Sequence, residues 1–483
     1  MMKKNKISST FLLLLVISIL TTGCKKYFDL NENPNLAQNP PINAMLSTAT
    51  QKVALNNYRF ANFNNYYAQY LASASADGAS DTYQITNNTT AWDNAYYAMA
   101  DLYDMMEKAK NLDAKEHLGV AQLLMVINLN YVTDTWGSVP YSKAFGLDGN
   151  LSPQYDSEES LYQASINLIN QSIANLSITT TPIKLDANSD LLHGGQRALW
   201  LKTAYGIKAR LLNKISKKST YNPNDVITAI NNAYSSNNDE AKMSIYTGIN
   251  PWAQLAVNNA GNLLDGWLSE NFINHMNGTT YGLFDPRLPK ITDAITVAGY
   301  APYIGTRNGQ GNRPGTGANT IHNENYISLS SPLTDKTSPL FILTYAEVKF
   351  IEAEAQFRIG TTASKITAYN AYLSGIRANM EKLNVAEADI LNYLNAPQVN
   401  VGANNLTLKL IFKEKYAALY LSPESWNDLR RFDYNYKDFL MPLGAQLPTF
   451  IRRVAYPASE RSKNGTNVPA EVSLDTNLWW DKP

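Results

Sequence analysis

From Glu116 to Tyr131 the apolar residues Val120, Leu123, Leu124, Ile127 and Tyr131 recur at steps of three and four, the spacing of one helical face. The same spacing returns at Trp200, Ala204, Ile207, Leu211 and Ile215, and again at Leu408, Ile411, Phe412 and Leu419. Leu161 to Leu176, Tyr345 to Ile359 and Thr367 to Leu383 are rich in Ala, Leu, Glu, Gln and Lys, which favour helix. Strand alternation is hard to find, so the pattern predicts an all-α, mostly helical chain. Helix-turn-helix units recur, but without a fixed period. Long polar loops separate them: Ala76 to Thr90, Ser177 to Gly195, Gly278 to Thr334 and Arg452 to Pro483, with Gly305 to Thr320 the most glycine-rich. Loops of that length in a compact domain usually carry function. No proline-rich linker divides the body, so residues 44–483 are expected to form a single domain.

The N-terminus follows another logic. Met1 to Lys6 (MMKKNK) is basic, Phe11 to Leu20 (FLLLLVISIL) is apolar, and Thr21, Thr22, Gly23 and Cys24 follow. That order predicts a secretory signal over residues 1–23. The apolar run is far short of the ~20 residues that a membrane-spanning helix needs. Cys24 is the sole cysteine and stands where a bacterial lipobox would have it, so its thiol is expected to carry a diacylglyceryl group, with an acyl chain such as palmitate on its nitrogen. Two or three acyl chains at about 0.8 kcal/mol per buried methylene hold a protein at a membrane almost irreversibly. Residues 24–43, rich in Asn and Pro, read as a lipidated flexible tether.

Composition narrows the function classes. Removing Lys3, Lys4 and Lys6 from a balance of 41 basic and 41 acidic residues leaves a net charge of −3, without the basic footprint that nucleic acid requires. His117, His193, His275 and His322 are scattered, and no HExxH, EF-hand, P-loop or GxSxG spacing occurs, so neither metal nor cofactor is expected. Glu347, Glu352 and Glu354 sit two to seven apart on one predicted helix and read as solvated or ion-paired charges rather than an acid/base cluster. Tyrosine (30) and tryptophan (8) are enriched, often beside Asn, Asp or Gln in loops. Flat rings flanked by amides and carboxylates suit ligands that combine CH faces with hydroxyls, as sugars do. Tyrosines at helical spacing, such as Tyr96, Tyr97 and Tyr103, read instead as helix packing.

Several motifs occur together and in order: FDLNENPN (Phe28 to Asn35), WGSVPYSKAF (Trp136 to Phe145), SPQYDSEESLY (Ser152 to Tyr162), LLHGGQRALWLKTAYGIKARLLNKIS (Leu191 to Ser216), FDPRLP (Phe284 to Pro289), TYAEVKFIEAEAQFRIG (Thr344 to Gly360), KEKYAALYLSPESWNDLRRFDY (Lys413 to Tyr434), RRVAYPASERSKN (Arg452 to Asn464) and the terminal LWWDKP. In this the chain resembles the SusD/RagB family of nutrient-binding outer-membrane lipoproteins, in particular its SusD-like subgroup. The resemblance implies tetratricopeptide-like helix pairs that form a scaffold with long irregular loop insertions. It implies a partner, a SusC-like TonB-dependent outer-membrane barrel, over which the lipoprotein acts as a lid at the cell surface, and an oligosaccharide or peptide ligand that is bound but not broken. In ESWNDLRR, Glu424, Trp426, Arg430 and Arg431 read as scaffold, a ring and two guanidinium groups held in bidentate contacts. Ligand residues do not carry over by motif. Loop position and chemistry point to Trp92 and Tyr83 beside the first long loop, with Asp77 and Asn88, and to Trp267, Tyr281 and Tyr303 in the middle insertion, with Arg307 and Asn308. A surface glycan hydrolase and an envelope assembly adaptor that binds no ligand are the rival readings.

Overall fold

Burial on all sides explains why one helix lies at the centre of the fold. In the computed structural model, which describes residues 39–146, 151–260, 266–313 and 323–483, helix Lys115–Trp136 buries Ala121, Met125, Val126, Leu129 and Val132 as well as the face that the sequence spacing picked out. A helix apolar around its whole circumference must be surrounded, and this one packs against Ile42–Tyr67, Thr89–Asn111 and Glu158–Ser177. In chain order the helices are α1 Ile42–Tyr67, α2 Thr89–Asn111, α3 Lys115–Trp136, α4 Glu158–Ser177, α5 Arg197–Lys214, α6 Pro223–Ile230, α7 Pro251–Ala260, α8 Glu270–Met276, α9 Leu288–Ile291, α10 Tyr345–Ile359, α11 Thr362–Lys382, α12 Glu387–Asn395, α13 Leu408–Ala418, α14 Glu424–Arg431 and α15 Ala458–Lys463. Four short strands, β1 Leu71–Ala72, β2 Ala241–Met243, β3 Trp267–Leu268 and β4 Leu340–Leu343, form two antiparallel pairs, β1 with β3 and β2 with β4. The fold is mostly helical, as the spacing predicts, and successive helices pack as pairs, α3 on α4, α5 on α6 and α10 on α11. Ile42–Pro483 forms one compact unit. Cys24, the expected signal segment 1–23, most of the expected tether 24–43 and His322 lie outside the described residues, and helix α1 begins at Ile42, two residues before the expected start of the body.

Local chemistry sets the helix ends. Ser157 caps α4 by accepting from the Ser160 amide, Thr344 caps α10 from Glu347 and Thr361 caps α11 from Ser364. Gly360, at φ +78, ends α10 in the left-handed conformation that glycine adopts freely. Gly119 lets α3 and α4 touch, since a Cβ there would sit 2.6 Å from Leu176 Cγ. Tyr96 and Tyr103 pack on Phe145, as helical spacing suggests, whereas Tyr97 is 62% exposed.

Ion pairs lock the second helical layer. Arg431 on α14 grips Glu354 on α10 with two bonds of 2.9 and 2.8 Å, and Arg210 on α5 grips Glu347 with 2.7 and 2.9 Å. Glu352 pairs with Lys349. The three carboxylates are thus ion-paired, but Glu347 and Glu354 are buried and not solvated. The neighbouring Arg431 and Arg358 hold the Glu354 carboxyl far below its ordinary range despite its burial. Arg430 makes no carboxylate pair among the described residues. It donates to the carbonyls of Asp134 and Arg452 at 2.7 and 2.6 Å and lies 3.7 Å over the Trp426 ring, pinning the end of α3 to the C-terminal segment.

Three buried histidines give the fold a pH signature. His117, His193 and His275 sit against Asn43, Thr203 and the Lys413 carbonyl, and burial lowers them from 6.5 to about 4, about 4 and about 3. The folded chain keeps them neutral while the unfolded chain protonates them near 6.5, so their contribution is full above pH 6.5 and is lost as pH falls towards 4. Each ring contributes up to about 1.4 kcal/mol per pH unit in that window. The guanidinium midpoint should drop steadily across it, and a flat midpoint would mean that the rings are hydrated in the native state.

Candidate functional site

The site begins where α1 runs out. Gln69 turns the chain at φ +52, and β1 then pairs with β3 in the register Leu71 with Leu268 and Ala72 with Trp267. This short ladder joins the base of the first long loop to the base of the middle insertion. Above it, the Asp81 carboxylate accepts from the Ser73 amide (2.9 Å), the Gly309 amide (3.0 Å) and Asn308 Nδ2 (2.8 Å). Asn308 also donates to the Leu71 carbonyl (2.9 Å) and accepts from Ser269 Oγ (2.6 Å), the hydroxyl that caps α8. Both residues are buried. Burial raises the Asp81 carboxyl above its ordinary range in spite of its three donors.

A third loop, residues 438–446, closes over this knot. The Leu443 amide donates to the Asn308 carbonyl (3.0 Å), the Gln446 amide to the Thr82 carbonyl (2.8 Å) and Gln69 Nε2 to the Leu440 carbonyl (2.7 Å). Gly309, at φ +85, permits the approach: a Cβ there would lie 1.9 Å from the Leu443 carbonyl oxygen. Four non-glycine residues of these loops hold positive φ, namely Gln69, Asp77, Tyr83 and Asp438. Each such conformation costs of order 1–3 kcal/mol and persists only where its surroundings over-determine it, which happens most often at binding sites.

On the solvent side Gln69, the middle insertion and the third loop border a cleft of about 160 Å³. Gln69, Glu270, Asn271, Asn274, Arg307, Asn308, Thr280 and Asp438 supply its hydrogen-bonding groups, and Leu440, Met441 and Pro442 its apolar surface. Glu270 is held by Arg313 at 2.5 Å, and Asn271 Nδ2 donates to the Tyr416 hydroxyl at 3.1 Å. Among the described residues the side chains of Arg307 and Asp438, both exposed, make no hydrogen bond or ion pair. Asn277 contacts Asn274 Oδ1 on one side and the Tyr303 carbonyl on the other. It leads from the cleft to a tilted ring pair, Phe284 and Tyr303, with centroids 5.8 Å apart and Phe284 45% exposed.

The structure therefore joins the two regions that the sequence singled out, 227 residues apart at Asp81 and Asn308, and distributes the nominated side chains between two levels. Arg307 and Asn308 line the cleft; Asp77 is exposed on the same loop platform, its amide bonded to the Gly309 carbonyl. Tyr303 is half-buried beside Phe284. Tyr281 is half-buried, with its ring 4.9 Å from that of His275 and beneath Lys413. Asn88 precedes α2 and donates to Thr86 Oγ1. Tyr83, Trp92 and Trp267 are 1%, 3% and 1% exposed, so their rings present no face to solvent in this conformation. Trp92 stands edge-on to Trp136 at 5.0 Å, and Trp267 lies in β3 against Tyr326. Sequence reasoning missed Gln69, Asp81, Glu270, Asn271, Asn274 and the whole 438–446 loop. That loop left one readable signal, the aperiodic run Phe439, Leu440, Met441, Pro442, Leu443, Gly444, apolar but without helical spacing.

A family model described as SusD-like, starch-binding associating with outer membrane, matches residues 34–457. A search of curated protein sequences gives no match. Among solved structures, a SusD/RagB family protein from Bacteroides thetaiotaomicron superposes with a TM-score of 0.74 at 19% identity, covering 92% of this chain and 99% of the other. A SusD homologue from Bacteroides vulgatus gives 0.75 at 19% identity over 90% and 97%. A chitin-binding SusD homologue from Flavobacterium johnsoniae gives 0.72 at 19% identity over 91% and 97%. At these identities the likeness to solved structures is one of fold.

Replacing Asp81 by Ala should leave Asn308 and two backbone amides unpaired, at a cost of about 1–3 kcal/mol for each buried group. Limited proteolysis should then cut within residues 73–88 first, while Asp438→Ala, exposed and unpaired, should leave both stability and cleavage pattern unchanged.

Proposed function

The chain belongs to the SusD-like family, whose members are non-catalytic, glycan-binding proteins associated with the outer membrane, and from that premise we propose that it captures an oligosaccharide in the cleft and delivers it to a SusC-like TonB-dependent barrel as that importer's lid. The observation that carries the ligand reading is that Arg307 and Asp438, two exposed side chains without partners among the described residues, line one cleft whose backbone is held by Asp81 and Asn308. A guanidinium and a carboxylate carried on a held backbone bind vicinal hydroxyls without first losing bonds to the protein, and Leu440 and Met441 offer apolar surface for the CH face of a sugar. Tyr303 and Phe284 extend that surface along the bound chain. The solved relative whose name states chitin binding shares this fold, which favours a glycan over a peptide ligand. Glu270 is engaged by Arg313, which leaves Asp438 as the one unpaired carboxylate among the described residues of the cleft, where a glycosidase would need two.

The sequence supports an anchor at Cys24. Lipid there, ahead of a body whose first helix starts at Ile42, would keep the lid attached at the cell surface. Cys24→Ser should release the protein from the membrane fraction, and protease added to intact cells should degrade the wild type.

Titration calorimetry with chito- and malto-oligosaccharides should give a saturable heat for at least one series. Arg307→Ala and Asp438→Ala should each weaken it about tenfold, the worth of a hydrogen bond to a charged group, with unchanged thermal melting. Full affinity in the double variant would overturn the cleft as the site.

A further inference from the structure

A second cavity, of about 510 Å³, shares no lining residue with the cleft and takes Tyr83, Gln84 and Ile85 of the first loop into its wall. Its walls come from the end of α3, the segment 453–456 and the segment 470–474, with Ile85 and Val472 at the rim. They are firmly held. The Val454 amide donates to the Thr135 carbonyl (3.1 Å), Trp136 Nε1 to the Ala455 carbonyl (3.0 Å), the Tyr456 hydroxyl to the Ser138 carbonyl (2.7 Å) and the Arg453 amide to the Leu474 carbonyl (3.0 Å). A recess of this size, in the range of small-molecule sites, with rigid walls does not close by side-chain collapse.

Its chemistry differs from that of the cleft. Trp136, Leu447, Val454 and Leu474 make an apolar interior, and Ile85 (73% exposed) and Val472 (48% exposed) leave the mouth apolar too. Two guanidinium groups reach it. Arg453 is committed, donating to Glu158 at 3.0 Å and to the Thr476 carbonyl at 3.2 Å. Arg461 is not: among the described residues its one charged partner is Glu471, in a pair whose side chains are 36% and 64% exposed. Such an exposed pair contributes little and is readily exchanged for another carboxylate. Tyr83, on the cavity wall, is held at φ +61, so backbone strain sits at this recess.

The geometry points to a second binding site in this cavity, for a small amphipathic carboxylate whose apolar body, aryl or short alkyl, lies against Leu447, Leu474 and Val472 while its carboxylate takes Arg461 from Glu471. The exposed Arg461–Glu471 pair contributes little, so a carboxylate held at the cavity mouth by a buried apolar body gains more at Arg461 than Glu471 gives up; burial of that body drives binding, and the guanidinium selects the acid over neutral analogues. The site does not depend on the glycan reading, because it shares neither Arg307 nor Asp438 with the cleft.

Phenylbutyrate and its uncharged amide, titrated into the full chain, test this. The acid should bind saturably and the amide at least about tenfold more weakly, the difference that a charge-assisted contact makes. Val472→Glu places a like charge at the mouth of an exposed position and should abolish binding of the acid without changing the melting curve, and Arg461→Gln should erase the preference for acid over amide. Arg307→Ala should leave the acid's affinity unchanged, even if it removes glycan binding. Equal binding of acid and amide, acid binding that survives Val472→Glu, or no saturable heat from the acid would each overturn the proposal.

Discussion

A carboxylate buried among loops governs how this molecule can present a surface to a ligand. Long loops carry many backbone amides and carbonyls that must find partners when covered, and here Asp81 and Asn308 supply them. Together they bond to residues 71, 73, 269 and 309, while the carbonyl of Asn308 receives Leu443. Three segments far apart in the chain thereby become one platform. Side chains that project from it, Arg307 and Asp438 among them, start from a fixed base, which lowers the entropy cost of binding.

Beneath that platform the helices are held by a second kind of polar contact. Arg431 with Glu354 and Arg210 with Glu347 are buried pairs that link helices distant in sequence, and Arg287, just ahead of α9, is buried against Asp285 and reaches Glu414 on α13. Pairs of this kind contribute little net stability compared with an apolar core of the same shape, but removal of one partner is costly, so they fix the arrangement of helices more than they strengthen it. The loops inherit that order: α8 starts at Ser269, whose hydroxyl belongs to the Asn308 knot, and Tyr416 of α13 bonds the Ala68 and Gln69 carbonyls at the other end of the same platform.

Much of the scaffold was legible in the sequence because helical spacing is a local property. Tyr345 to Ile359 was read with the bounds that the structure has, and α3, α4, α5 and α13 within a few residues. Short elements such as α8, α9 and the two strand pairs were not, since two to seven residues carry too little periodicity and are set by tertiary contacts. The same reason governs the site. That the middle insertion lines the cleft could be guessed from loop length and composition, since Arg307 and Asn308 stand there, whereas the nominated residues of the first loop do not line it. Which aromatic rings face solvent could not, because exposure of Trp92, Trp267 and Tyr83 depends on what packs over them: Trp136, Tyr326 and Tyr67. Asp81 looked like any loop aspartate until its three donors, two of them over 200 residues away, were in place.

The central claim is that glycan meets this chain on the three-loop platform. Hydrogen exchange with and without saturating chito- or malto-oligosaccharide tests it most directly, since the amides of residues 73–88, 303–313 and 438–446 report each loop separately. The account predicts slower exchange in all three segments together and little change in α3, α10 or α11. Protection confined to the helices, or absent from all three loops while calorimetry shows the glycan bound, would contradict it.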